Sequence, residues 1–205
     1  MIPNYRDFKV LGNGAFGNIS LHLYFPPGYV FKAFDVNYDR YVAIKRSPKV
    51  GNKTSREMEV LISMQGQANV IQLLDFFYSL DNNHRLVQNS VFEFCDQTLE
   101  DLIKDYCDKK KAIPIEKVKS YTKQAVNGLA NMHRVGIAHR DLKPENILMK
   151  GEEVKICDLG SSKFLDTKLW KNTPYVVSRY YRAPELIMAC THYTTSIDIW
   201  GNLTY

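Results

Sequence analysis

The rhythm of apolar and polar positions changes near the middle of the chain. From Phe8 to about Phe94 the apolar runs are short and rich in β-branched and aromatic side chains: Phe8–Leu11, Val30–Phe34, Tyr41–Ile44, Val70–Phe77 and Leu86–Phe94, separated by Gly, Asn and Asp. Short runs bounded by turn residues predict strands, and one segment among them, Ser55 to Met64, reads as a helix. The first part is therefore expected to be an antiparallel sheet carrying one helix. From Leu99 onward the period lengthens. Val118, Tyr121, Ala125, Leu129 and Met132 recur at three- and four-residue steps, which predicts an amphipathic helix ending before Gly136. A sheet-bearing part followed by a mainly helical one makes the expected fold class α+β, and there is no internal repeat or low-complexity linker. The join between its two parts falls in the short polar stretch Cys95 to Thr98.

Composition narrows the class. A chain of 205 residues with 45% hydrophobic side chains buries a substantial core and is long for one small domain. The net charge of +5 is dispersed apart from Lys109-Lys110-Lys111. That triplet lies in a loop-like stretch ending at Pro114 and reads as a solvated loop rather than a nucleic-acid patch. Cys95, Cys107, Cys157 and Cys190 lie far apart without a CxxC pair, so neither a zinc cluster nor a disulfide framework is expected. A reducing compartment is implied, cytoplasmic and/or nuclear. No run approaches ~18 apolar residues, so no membrane span is expected.

The chemistry begins with LGNGAFGN, residues 11 to 18. A GxGxxG alone is weak, since glycine clusters are often plain turns and a dinucleotide fold would need a helix after Gly17. The segment from Ile19 to Phe25 is instead strand-like, and a glycine-rich hairpin that brings backbone N–H groups close to phosphates fits better. In VAIK, residues 42 to 45, a lysine sits on an otherwise apolar strand. It is either an edge lysine in water or a desolvated cation in need of a partner, for which Glu57 in the next helical segment is the natural choice. HRDLKPENIL, residues 139 to 148, packs Asp141, Lys143, Glu145 and Asn146 into one stretch. Pro144 biases Lys143 away from helix, so this stretch is expected to be a loop. KICDLGSSK comes next, with Asp158 after a strand-like Val154–Cys157. Asp141, Asn146 and Asp158 offer hard oxygen atoms only, which suits Mg²⁺ and not zinc. Together with a phosphate-cradling hairpin and a lysine on a strand, the set points to phosphoryl transfer.

These residues resemble the eukaryotic protein kinases. GNGAFG, VAIK, a helix glutamate, HRDLKPEN, DLG and RAPE occur in that order over residues 12 to 185. The resemblance implies a two-lobed fold. Residues 1–94 would form an antiparallel sheet lobe with one helix, 95–98 the hinge, and 99–205 a mainly α lobe that is incomplete. It implies Mg²⁺ and ATP, with Leu11, Gly12, Gly14 and Gly17 covering the nucleotide and Lys45, paired with Glu57, holding its α- and β-phosphates. Asp141 would accept the proton of the substrate hydroxyl, Lys143 would steady the γ-phosphate, and Asn146 and Asp158 would hold the metal. Backbone bonds to adenine are implied at Glu93 and Cys95, with Phe92 in front of the hinge and Ala43 and Leu148 on either side of the ring. Leu61, Leu73, His139 and Leu159 would stack as an apolar column, although a plain core reading accounts for each of them as well. Lysine in DLKPEN resembles the serine/threonine kinases. The implied partners are protein substrates, with a regulatory or scaffold protein as a further class.

TPYVVSRYYRAPELI, residues 173 to 187, is similar to the group of cyclin-dependent, mitogen-activated and glycogen synthase kinases. That group acts before a proline or beside an existing phosphate. Arg56, Arg140 and Lys163 would gather on one phosphate, on Thr173 or on a primed substrate, since a dianion is best held by several charge-assisted bonds. The alternative is ordinary solvated surface. Thr173 and Tyr175 are the implied phosphorylation positions, or else an exposed loop that is never modified.

Two departures from the family pattern stand out. Residues 19–29, ISLHLYFPPGY, separate Gly17 and Asn18 from VFKAFD, and deleting them restores the family spacing. Because Pro26-Pro27-Gly28 cannot pair as a central strand, the insert would loop out, unless Ile19 continues the hairpin and the loop comes later. SIDIW, residues 196 to 200, resembles the start of the long helix of the large lobe, in which Asp198 anchors the loop around His139 and Arg140, and the family domain continues further. Both departures start with Gly-Asn, a pair whose codons can contain an intron-opening GT. Translated introns at 19–29 and 201–205 are one hypothesis, which GT and AG borders in the genomic codons would test. Two functional classes result: an active serine/threonine kinase, and a non-catalytic fragment that at most binds nucleotide or a partner protein.

Overall fold

The computed structural model describes residues 4–11, 28–49, 51, 54–81, 83–165, 172–173 and 178–202. The elements in chain order are β1 (Tyr5–Leu11), β2 (Val30–Asp35), β3 (Arg40–Pro48), α1 (Arg56–Ser63), β4 (Leu73–Leu80), β5 (Leu86–Glu93), β6 (Gln97–Thr98), α2 (Leu99–Asp108), α3 (Ile115–Arg134), β7 (Ile137–Ala138), β8 (Ile147–Lys150), β9 (Glu153–Ile156), β10 (Lys163–Phe164), α4 (Pro184–Ile187) and α5 (Ile197–Asn202). They fall into two compact units, one of Met1–Lys53 with Gln72–Phe94, the other of Thr54–Ile71 with Cys95–Tyr205.

The first unit is an antiparallel sheet in the order β1-β2-β3-β5-β4. Alternation along β2 and β3 sets its two faces. Ala33, Val42, Ile44 and Val91 form a buried cluster backed by Tyr5, Phe8, Leu74 and Phe77. The opposite face carries the alternate residues: Leu11 pairs with Val30, Val30 with Lys45 and Lys45 with Ser90, while Lys32 pairs with Ala43 and Ala43 with Phe92. Gly28 and Tyr29, counted in the expected insert, take part in this sheet. Gly28 N donates to Arg46 O at 2.7 Å and Arg46 N to Tyr29 O at 3.0 Å, so backbone bonding to β3 begins before β2 itself. Gly28 turns into it at φ +101°, a conformation glycine adopts without strain.

The second unit is built around α3. Of the periodic residues, Tyr121, Ala125, Leu129 and Met132 are buried, whereas Val118, expected on the same stripe, is 39% exposed. The helix stops at Gly136, whose φ of +75° a residue with a Cβ rarely adopts. α2 starts with a capping box in which Thr98 Oγ1 accepts from Asp101 N and the Asp101 carboxylate accepts from Thr98 N. The expected division at residue 94 differs from the observed one at α1. That helix groups with the second unit, because it packs on the turn after Asp158 and on β10. The segment after it is fastened to α3 by amide side chains. Asn69 Nδ2 donates to Gln124 Oε1 and to Val154 O, Asn127 Nδ2 donates to Asn69 Oδ1, and Asn131 Nδ2 donates to Ala68 O. The approach is close enough that a Cβ on Gly128 would meet Asn69 O at 2.5 Å.

Candidate active site

The loop before β8 is shaped by a buried carboxylate 58 residues further on. Asp198, in the first turn of α5, accepts from Arg140 N at 2.9 Å through Oδ1, and from His139 N at 2.8 Å through Oδ2. These bonds offset the left-handed backbone of Arg140, at φ 66°. His133 Nε2 lies 2.8 Å from the same Oδ2. His139 is fully buried and its Nδ1 accepts from Asp141 N at 3.2 Å, so its proton sits on Nε2, which donates to Cys157 O at 2.8 Å. The ring thus ties the loop to the residue preceding Asp158, a structural role.

Residues 144–146 close into a 3₁₀ turn after an extended Lys143, so the expected loop is partly regular. Four groups meet at one carboxylate. Asp141 Oδ1 accepts from both the backbone N and the hydroxyl of Ser178, each at 3.0 Å. Asp141 Oδ2 lies 3.2 Å from Lys143 Nζ and accepts from Asn146 Nδ2 at 3.2 Å. Lys143 Nζ also donates to Ser178 Oγ at 3.1 Å, and Asn146 Nδ2 to Asp141 O at 2.8 Å. The carboxylate and ammonium keep 19% and 22% of their side-chain surface exposed, so both remain reachable. A carboxylate that can take a proton next to an ammonium that can meet an anion is competent for group transfer to a hydroxyl.

Asn146 and Asp158 stand at the open end of the β8–β9 hairpin, where Cys157 N donates to Asn146 O at 2.9 Å. The Asn146 amide nitrogen is committed to Asp141, which leaves its oxygen as the atom to offer a cation. Asp158 is exposed, in the left-handed region at φ 55°, and caps the turn in which Leu159 is buried. At Gly160 an added Cβ would lie 3.5 Å from Asp158 Oδ1 and 3.9 Å from Glu57 Oε2, so both carboxylates border this glycine. Among the described residues no group of three or more His, Cys, Asp or Glu could hold a metal unaided. Two hard oxygen donors fit Mg²⁺, an ion that commonly retains waters and takes substrate phosphates as further ligands.

The charges of Arg140 and Arg56, two of the expected phosphate-binding cations, act on the third, Lys163. Burial, and then the charges of Arg140 and Arg56, hold the Lys163 ammonium below its ordinary pKa. Arg140 Nε donates to Ser161 O at 2.7 Å and its Nη1 to Tyr193 OH at 3.3 Å, while Lys163 Nζ donates to Asn172 Oδ1 at 2.8 Å. Tyr193 OH in turn donates to the carbonyl of Thr173, itself exposed, at 2.9 Å.

In the first unit, Leu11, Ala43, Lys45 and Phe92 occupy one face of the sheet, with Lys45 half-buried. Glu93 pairs with Val42 and so faces the other way, its Oε1 accepting from Gln72 N at 3.3 Å. Its backbone is thus what it could offer a ligand on the Ala43 face. Cys95 and Leu148 are half-buried in the second unit, as is Glu57. Gly12, Gly14, Gly17 and Tyr175 lie outside the described residues.

Sequence reasoning missed Ser178, Asn172, Tyr193 and His133. Each is a common polar residue whose role depends on a partner 9 to 65 positions away. The one available signal was the placement of Ser178 just before the RYYRAPE run.

Comparison with known proteins agrees with this geometry. Residues 5–202 match the protein kinase domain, and the chain belongs to the protein kinase family. It is 36% identical over 202 residues to Protein kinase MCK1 of Saccharomyces cerevisiae, covering 96% of this chain and 51% of that protein. It is also 36% identical over 202 residues to Protein kinase gsk3 of Schizosaccharomyces pombe, covering 97% of this chain and 49% of that one. The chain spans about half the length of these curated relatives.

Proposed function

We propose that this chain transfers the γ-phosphoryl group of Mg-ATP to serine or threonine hydroxyls of protein substrates that are proline-directed or carry a priming phosphate. The observation that carries this reading is the Asp141 carboxylate, 3.0 to 3.2 Å from the Ser178 hydroxyl, the Lys143 ammonium and the Asn146 amide.

Asp141 is the proton acceptor for the incoming hydroxyl. Ser178 and Asn146 hold its side chain in one orientation, so little reorganisation is needed when the proton moves. Lys143 faces the charge that builds on the transferred group. Mg²⁺, held through Asn146 and Asp158, would supply charge neutralisation at the phosphate oxygens. On the first unit, Leu11, Ala43 and Phe92 offer apolar surface for adenine, and Lys45 on the same face offers a cation for the α- and β-phosphates. The glycines at 12, 14 and 17 are proposed to cover those phosphates. Backbone groups of Glu93 and Cys95 would bond adenine. Arg56, Arg140 and Lys163, with Asn172 beside them, would take a phosphate on the substrate or on Thr173, with Tyr175 a second modification position. A cytoplasmic or nuclear setting and a regulatory or scaffold partner belong to the same reading.

The test is a peptide array exposed to the purified chain, Mg²⁺ and γ-labelled ATP. Label is expected on Ser and Thr peptides with a following proline or a nearby phosphoserine, and not on their Tyr counterparts. Label on Tyr peptides alone would overturn the substrate class.

A further inference from the structure

A lysine on the nucleotide-facing side of the first unit is caught between two aromatic rings. Lys32 Nζ lies 4.1 Å from the centroid of the Tyr41 ring and 4.1 Å from that of Phe94. Both distances are well inside the ~6 Å over which a cation is attracted to a ring face. The rings are 6.3 Å apart and tilted by 57°, and the Phe34 ring meets Tyr41 edge-on at 5.3 Å.

The place of this clasp gives it a consequence. The β3–β5 ladder ends at the pair Val42 and Glu93, so Phe94 lies just beyond the sheet's backbone pairing. Glu93 N reaches Gln72 O only at 3.4 Å. Lys32 itself sits directly across from Ala43, and Ala43 from Phe92. The clasp therefore joins the middle of β2, the start of β3 and the residue just after β5. We propose that Lys32 is a positioning residue for nucleotide binding: through Tyr41 and Phe94 it fixes the backbone of residues 93–95, where adenine is taken to bond. The proposal rests on the kinase reading above and extends it to a residue outside the reacting groups.

The mechanism needs the charge and not only the aliphatic stem. Without the ammonium, Tyr41 and Phe94 keep a weak ring–ring contact and lose the cation that each faces. Phe94 then samples more orientations, and the entropy of fixing residues 93–95 is lost from nucleotide binding instead of being settled during folding.

Binding of a fluorescent ATP analogue to the whole chain tests this with Lys32→Met and Lys32→Arg. Thermal melts serve as the check on folding. Lys32→Met is expected to weaken binding roughly tenfold, and Lys32→Arg to restore it to within about twofold. Where Lys32→Met fails to fold, Phe94→Leu replaces it, with the same tenfold loss expected. Wild-type affinity in the Met variant, or equal loss in Met and Arg, overturns the proposal. The clasp has its own signature: the Lys32 ε-methylene protons resonate upfield through ring currents and return toward their ordinary position in Phe94→Leu. A wild-type chain that binds no nucleotide overturns both the kinase reading and the role of Lys32. It is told apart from failure of the clasp alone because the upfield resonance persists. An ordinary shift in the wild type sinks the clasp itself.

Discussion

The hydroxyl of Ser178 stands 3.0 Å from Asp141 Oδ1 and accepts from Lys143 Nζ at 3.1 Å, so one small side chain bridges the acid and the cation of the candidate active site. Ser178→Ala removes this bridge but keeps the backbone bond to Asp141. The loss of one charge-assisted bond, worth about 1.5 kcal/mol, predicts a kcat about tenfold lower with little change in the KM for ATP. Ser178→Thr retains the hydroxyl and should keep most of the activity. Steady-state kinetics of the two variants decide; equal kcat in Ala and wild type contradicts the role.

Asp198 is the second point at which one substitution should have a large effect. It is 2% exposed and holds two backbone N–H groups of the 139–140 stretch. Asp198→Asn weakens the acceptor and sets an amide N–H against a buried donor. A loss of about 3 kcal/mol is expected, seen as a melting temperature ~6 to 12 °C lower. An unchanged melt would show that the loop is held by other means.

The cation cluster predicts a pH effect with a definite sign. Burial, then Arg140 and Arg56, keep the Lys163 pKa in the folded chain below its ordinary 10.5. Between those two values the unfolded chain binds the extra proton, so stability rises with pH across that window. Below the folded value the penalty is present in full. Wild type should therefore gain stability relative to Lys163→Met as pH approaches 10.5 in phosphate-free buffer. The same substitution should weaken binding of a phosphoserine peptide at least about tenfold, since one of the three cations proposed to hold the dianion is gone. Melts against pH and peptide titrations check the two halves separately.

Arg46 runs against the usual rule for buried charge. Its Nε is buried without a hydrogen-bond partner, its Nη2 reaches Ser79 Oγ only at 3.3 Å, and burial pulls the guanidinium pKa down. Arg46→Met should leave the chain equally stable or more stable by about 1 kcal/mol, because the desolvated charge is removed with most of its volume kept. Denaturant unfolding measures this, and a loss above about 2 kcal/mol would mean that the charge is needed.

Much of this was legible in the sequence, for physical reasons. The strands arise from β-branched runs whose alternate members Ala33, Val42, Ile44 and Val91 are buried, and α3 from a period that buries Tyr121, Ala125, Leu129 and Met132. The hold of Asp198 on residues 139 and 140 was expected from SIDIW. The features that escaped are long-range and polar. Ser178 meets Asp141 across 37 positions, and Asn69 meets Asn127 across 58. No local periodicity reports such pairs, because a hydrogen bond between side chains constrains two atoms and leaves the pattern of each segment unchanged. The grouping of α1 with the second unit escaped for a related reason: its amphipathic face shows that it packs, not on what.

The decisive experiment is transfer of labelled phosphate from γ-labelled ATP to a primed, proline-containing Ser peptide by the purified 205-residue chain, side by side with Asp141→Asn. Incorporation by the wild type is expected, with a rate at least about a hundredfold lower in the variant, because the proton acceptor is lost. Equal rates in the two chains would contradict the role of Asp141 and with it the proposed phosphoryl transfer.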